Sequence, residues 1–276
     1  MFTLNCKGKL LVIERPIVMG IINITPDSFF SASRKQNTGE MLKCAEQMLQ
    51  DGATILDIGG QSTRPGSVRV STGEELERVI EPIRSVSNEF PGVFISIDTF
   101  SSAVAKEAVQ AGAAIINDIS AGSMDPGMIS TVASLQVPYI CMHMKGDPGN
   151  MQQDPQYKNV TAEVLDFCIQ KKKALQAAGI TDIIMDPGFG FGKTAEQNFE
   201  LLRNLEVFSM LASPLLIGIS RKSTIYKTLG VSPEEALNGS TVLHTMALLK
   251  GANILRVHDV RPALEAIQLC QAYMAK

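Results

Sequence analysis

Paired cysteines, excess basic charge and long apolar runs are all missing from this sequence. The five cysteines (Cys6, Cys44, Cys141, Cys168, Cys270) are odd in number, scattered and free of C-x-x-C spacing. That excludes a disulfide framework and a paired-cysteine zinc site, and points to reduced thiols in a cytoplasmic protein. No stretch approaches the roughly 18 apolar residues of a membrane span, so no membrane partner is expected. The opening MFTLNCKGKLLVIERP lacks a secretory h-region. A net charge of −3 gives no basic footprint for nucleic acid, although it says little about the charge of a cleft. With no linker or low-complexity segment, the 276 residues, 45% apolar, read as one domain spanning 1–276.

The glycine-rich run DPGFGFGKT (186–194) resembles a phosphate-binding loop but fails the spacing. A P-loop needs four residues between its first glycine and Gly-Lys, and that position is Pro187. The dinucleotide fingerprint fails as well, since the glycines run G-x-G-x-G. Asp186, at the end of a strand-like run, is left as the residue to explain.

Eight short apolar runs recur: 17–22, 54–58, 93–98, 114–118, 138–143, 182–186, 215–220 and 253–259. Nearly continuous apolar character is expected of strands buried on both faces. Helical patterns fall at 40–51, 74–88, 160–178, 195–212, 233–250 and 261–275. Ser71 and Thr72, each with a glutamate three residues on, mark a capping box before the second helix. The junctions DGATILDIGG, AGAAIINDIS and KGANILRVHDV repeat helix end, Gly-Ala, strand, polar tip. Alternation of this kind predicts an α/β fold, a single-domain TIM (β/α)8 barrel, over an open doubly wound sheet.

Barrel chemistry sits at the C-terminal strand ends, and every one of those ends is polar here. Arg256 and His258 alternate on one face, and with Ser220, Arg221 and Lys222 they suit an anion pocket; a salt bridge to Asp259 is the other reading for Arg221. Asp98, Asn117 and Asp186 suit an aminopyrimidinone edge, because a carboxylate accepts two parallel N–H bonds; a helix cap is the other reading of Asp98. Asn23 is a hard oxygen donor of the kind that shares Mg²⁺ with a phosphate, or else a turn residue. His143, without an obvious partner, and His244 read as structural.

In order from residue 17 to 260, the blocks MGIINITPDSF, DIGGQSTRPGS, ISIDT, INDIS, MHMKG, DPGFGFGK, GISRKS and RVHDV resemble bacterial dihydropteroate synthases. The resemblance implies a cytoplasmic, homodimeric, sulfonamide-sensitive TIM-barrel enzyme that uses Mg²⁺. It would join 6-hydroxymethyl-7,8-dihydropterin diphosphate to p-aminobenzoate and release diphosphate. It implies pterin contacts from Asp98, Asn117, Met142, Asp186, Gly190 and Lys222. Asn23, Arg64, Arg256 and His258 would hold the diphosphate, Asn23 through the metal. Phe29, Thr63, Pro65, Ser220 and Lys222 would build the p-aminobenzoate site, and Asp98, Lys222 and Arg256 would carry the catalysis. The first loop departs from the pattern, with Phe30, Ser31, Arg34 and Lys35 in place of a Ser-Asp-Gly-Gly run. Loops 24–38 and 61–72 are expected to be mobile and to close over the second substrate. Two other readings remain: a pterin-binding, corrinoid-dependent methyltransferase and a non-catalytic pterin-binding paralogue. The STRPGS and SRKS blocks weigh against the first, and the retention of Arg64, Lys222, Arg256 and His258 weighs against the second.

Overall fold

Apolar residues that alternate along FTLNC and KLLVI build a hairpin that sequence reading did not single out. Strands β1 (Phe2–Cys6) and β2 (Lys9–Ile13) pair antiparallel around Lys7 and Gly8. Both turn residues have positive φ, 55° and 84°, as a two-residue primed turn requires. The computed structural model describes residues 1–24, 34–61, 69–147, 149, 151 and 153–275, with the backbone alone for 34–37.

The expected barrel follows. Its strands are β3 (Ile17–Asn23), β4 (Ile55–Gly59), β5 (Phe94–Asp98), β6 (Ile115–Asp118), β7 (Tyr139–Met142), β8 (Ile183–Asp186), β9 (Leu216–Ile217) and β10 (Ile254–Val257). They pair in parallel in the order β8-β7-β6-β5-β4-β3-β10-β9, and a parallel bridge between Met185 and Leu215 joins the two ends of the sheet. The helices are α1 (Arg34–Gln50), α2 (Thr72–Glu89), α3 (Ser102–Ala111), α4 (Met128–Leu135), α5 (Val160–Ala177), α6 (Ala195–Arg203), α7 (Ser223–Leu229), α8 (Leu237–Leu249) and α9 (Val260–Met274).

Several boundaries differ from the sequence expectation for identifiable reasons. Strand β9 stops at Ile217, and the chain turns through Ile219 to Lys222 with Arg221 in the left-handed region. The pattern at 195–212 breaks at Asn204, whose side chain bonds the Glu200 carbonyl and Thr161. A 3-10 helix, Leu205–Leu211, then buries Leu205, Phe208 and Leu211 at its threefold period. The pattern at 233–250 becomes helical only at Leu237, because the Pro233 and Glu234 carbonyls accept from Arg221. Ser71 caps α2 as expected, accepting from the Glu74 N–H. Helix α1 starts at Arg34, so residues 34–38 belong to a helix and not to the first loop; residues 25–33 and 62–68 lie outside the described residues.

Two cores result from the two-residue period. Outward residues such as Val18, Leu56, Ile97, Ile116 and Leu255 pack under the helices. Inward residues Met19, Ile55, Ile115, Ile140, Ile184, Leu216 and Ile254 form a ring, and Leu4, Cys6, Leu11 and Ile13 of the hairpin join the same cluster. The hairpin therefore covers the apolar bottom of the barrel. Leu11→Ala, which empties part of that cover, should lower stability by about 2–5 kcal/mol. Urea denaturation with an unchanged m-value checks this.

Candidate active site

One step up from the apolar ring, the same inward faces turn polar. The alternation that points Ile55, Ile115, Ile184 and Ile254 inward also points Asp57, Asn117, Asp186 and Arg256 inward. Asp57 is fully buried, and its Oδ2 accepts from Arg256 Nε at 2.6 Å and from Asn117 Nδ2 at 3.0 Å. Arg256 Nη2 reaches Asp98 Oδ2 at 2.6 Å. One guanidinium thus bridges a carboxylate in the middle of β4 and one at the end of β5. Burial raises the Asp98 carboxyl, Arg256 opposes that, and Asp57, Glu75 and Asp118 add to it, leaving it pushed up to about 7. Burial also works against the Arg256 charge, but Asp57 and Asp98 prevail and raise its pKa.

Across the mouth lies a second pair of opposite charges, Asp186 and Lys222, which influence each other without a direct salt bridge. Asp186 Oδ1 accepts from the Gly188 N–H at 2.7 Å, and a Cβ placed on Gly218 would lie 4.0 Å from both Asp186 Oδ2 and Lys222 Nζ. Burial raises Asp186, and Lys222 is the main force opposing that. Lys222 donates to the Phe189 carbonyl and lies 4.4 Å above the Phe191 ring centre. Burial lowers it to about 8, against the pull of Asp186. Phe100, Ile119, Met142, Met151 and Phe191 form an apolar cluster beside these charges. A polar rim with an apolar wall suits a flat, hydrogen-bonding heterocycle.

The glycine run owes its composition to backbone contact. A Cβ on Gly188 would overlap the His143 carbonyl oxygen, and one on Gly192 would overlap that of Lys145. Both glycines also have positive φ. The loop after β8 is thereby laid against the loop after β7. Lys193 locks the two together. Its buried ammonium contacts His143 Nδ1 at 3.0 Å and donates to the Gly188 and Phe191 carbonyls at 2.7 and 3.1 Å. His143 therefore has the partner that sequence reading did not find. Burial, and then Lys193, hold His143 down at about 2, so it is neutral and its Nδ1 accepts.

A pterin binding enzyme model matches residues 19–258. The Escherichia coli K12 dihydropteroate synthase is 42% identical over 99% of this chain and 96% of its own length. The chain belongs to the dihydropteroate synthase family. A Yersinia pestis dihydropteroate synthase solved with a sulfonamide drug matches with a TM-score of 0.92, 40% identity, and coverage of 99% and 98% of the two chains. A Xanthomonas albilineans dihydropteroate synthase solved with 4-aminobenzoic acid matches with the same four values. The activity of this chain is dihydropteroate synthesis, a step of folate biosynthesis. The methyltransferase and non-catalytic readings give way to this membership.

Within the dihydropteroate synthase barrel, the expected site residues fall into groups. Asp98, Asn117 and Arg256 converge through Asp57, while Asp186, Gly190 and Lys222 converge at the glycine loop, with Met142 in the neighbouring apolar cluster. Asn23 ends β3 on the same rung as Gly59, which pairs with Asp98. Ser220 Oγ lies 3.1 Å from His258 Nδ1, joining two residues that had been assigned to different substrates. Phe29, Thr63, Arg64 and Pro65 lie outside the described residues. Arg221 takes the salt-bridge reading, gripping Asp259 through Nε and Nη2 at 2.7 and 2.8 Å, and so leaves the anion group. His244 is buried in α8, consistent with a structural role. Asp57 and Lys193 were not assigned roles in advance. The signal for Asp57 was a charged residue inside an otherwise apolar strand.

Lys193 titrates at about 7 in the fold, against 10.5 as an ordinary lysine, because of burial. Between those values the unfolded chain binds more protons than the native one, so this group's contribution to stability rises with pH. Lys193→Met removes three hydrogen bonds and that dependence. Its deficit against the parent should therefore widen from pH 7 to pH 10, as urea titrations at the two pH values will measure.

Proposed function

We propose that the two charged groups divide the substrate between them. The pterin ring lies between Asn117, Asp186 and Lys222, against Met142 and Gly190. The diphosphate lies toward Arg256, His258, Asn23 and Arg64. The observation that carries this reading is the Arg256 bridge. Its Nε and Nη2 are committed to Asp57 and Asp98, whereas Nη1 has no partner among the described residues. A guanidinium anchored on one edge presents the other as a fixed donor for an anion.

The proposed reaction is dissociative. An aryl amine is a weak nucleophile, but once the diphosphate has left its attack needs no strong general base. Arg256 draws negative charge onto the leaving diphosphate. As the C–O bond breaks, positive charge is shared between the exocyclic carbon and the pterin. The carboxylate of Asp98, held beside the ring by Arg256, stabilises that charge. The amine of p-aminobenzoate then adds to the carbon and loses a proton to solvent. Lys222, Ser220, Phe29, Thr63 and Pro65 position the p-aminobenzoate.

The donor set fits Mg²⁺ that arrives with the diphosphate. No group of three or more His, Cys, Asp or Glu side chains capable of holding a metal occurs among the described residues. Asn23 supplies a neutral oxygen at a strand tip, as suits a metal that keeps its waters and phosphate oxygens. When bound, the ion would neutralise charge on the leaving group.

A homodimer is proposed through α8 and α9. Val242, Met246, Leu249, Leu269 and Tyr273 are exposed there, flanking a furrow of about 810 Å³ lined by Leu237, Leu249, Leu269 and Tyr273. Apolar area of this kind on one face marks an interaction surface. Cytoplasmic location is proposed from the free cysteines, and no helix among the described residues is long and apolar enough to cross a membrane.

Purified protein with Mg²⁺ and the dihydropterin diphosphate should release diphosphate slowly alone. With p-aminobenzoate, release should be fast and equal to the dihydropteroate formed. Strictly amine-dependent release with no slow background would sink the dissociative order. Arg256→Ala should lose on the order of 10²-fold or more in kcat, and a loss under about threefold removes its assigned role. Leu269→Glu with Tyr273→Glu should convert a dimer to a monomer in sedimentation velocity. An unchanged sedimentation coefficient counts against this interface.

A further inference from the structure

Asp57 touches both of the groups assigned above to opposite ends of the substrate, yet it is itself fully buried. Its Oδ2 accepts from Arg256 Nε and from Asn117 Nδ2, and its Oδ1 has no partner among the described residues. A carboxylate only accepts, so this contact fixes the Asn117 amide with its NH₂ toward Asp57 and its carbonyl turned the other way. Asn117 therefore offers an acceptor to a ligand N–H. The same oxygen commits the Nε edge of Arg256 and leaves Nη1 for an anion. One atom sets the orientation of both ligand-facing groups.

We propose that Asp57 is a positioning residue that couples recognition of the pterin to recognition of the diphosphate. The coupling is positive, for an electrostatic reason. An anion at Nη1 takes a share of the guanidinium charge, which weakens its hold on Asp57 Oδ2. The oxygen then accepts more strongly from Asn117, and the polarised amide presents a more negative carbonyl to the pterin N–H. Linkage makes the effect reciprocal, so bound pterin tightens diphosphate by the same factor. The substrate that carries both parts is preferred over either fragment. The inference rests on the assignment of Asn117 to pterin and Arg256 to diphosphate.

The test uses two fragments, 6-hydroxymethylpterin and inorganic diphosphate, titrated by calorimetry in Mg²⁺ buffer. In the parent, saturating diphosphate should tighten the pterin by about fivefold or more. In Asp57→Asn that ratio should fall to within about twofold of one. Should Asp57→Asn fail to fold, Asn117→Ala, which cuts the same link from the other side, should lose the ratio while still binding diphosphate. A parent ratio of one overturns the proposal without any variant. A parent-like ratio retained in Asp57→Asn or Asn117→Ala overturns the coupling alone, provided Asn117→Ala weakens pterin and Arg256→Lys weakens diphosphate. If neither weakens its own ligand, the site assignment falls and the coupling falls with it.

Discussion

The part-buried guanidinium of Arg256 is the group on which the rest of the site depends. It is shared by Asp57 and Asp98 on neighbouring strands, in a barrel interior where an isolated carboxylate would be costly to ionise. Burial, reinforced by more negative charge than one guanidinium can neutralise, holds Asp98 high in pKa despite Arg256 at hydrogen-bonding distance. An anion docked against Arg256 would change this balance directly. The arrangement is conditional on the barrel, because β4, β5 and β10 come together only when the sheet closes around β3.

The interior is layered, and the layering separates stability from chemistry. Ile55, Ile115, Ile184 and Ile254 make the apolar floor, and the hairpin covers it from below. Two residues further along each strand, Asp57, Asn117, Asp186 and Arg256 face the same axis. A period of two thus puts each of these four side chains directly above a packing side chain. The rigid floor limits where the polar layer can move, which is what electrostatic preorganisation requires.

The glycine loop extends that rigidity beyond the strands. Backbone contact at Gly188 and Gly192 brings two loops together, and Lys193 replaces the solvent their carbonyls would otherwise need. A buried lysine is tolerated because neutral His143 and two carbonyls receive its protons. Asp186 is then oriented by the Gly188 N–H, which belongs to the same loop.

The sequence by itself determined the barrel, through eight apolar runs alternating with helical patterns, and it placed Asp98, Asn117, Asp186, Lys222 and Arg256 at strand ends. Those features are local: periodicity and position within a run carry them. It also left Arg221 open between an anion site and a salt bridge, left Ser220 and His258 between one anion pocket and the two substrates that the family resemblance implies, and found no partner for His143. Only the tertiary structure decided these, since Arg221 and Asp259 are 38 residues apart and His143 and Lys193 are 50 apart. The hairpin was present as alternation but lacked the continuous apolar character of the barrel strands. Asp57 was visible as a charge in an apolar strand, yet its role depends on Arg256, 199 residues away. Patterns along the chain specify which face a side chain occupies, whereas closure of the sheet specifies which other side chain it meets.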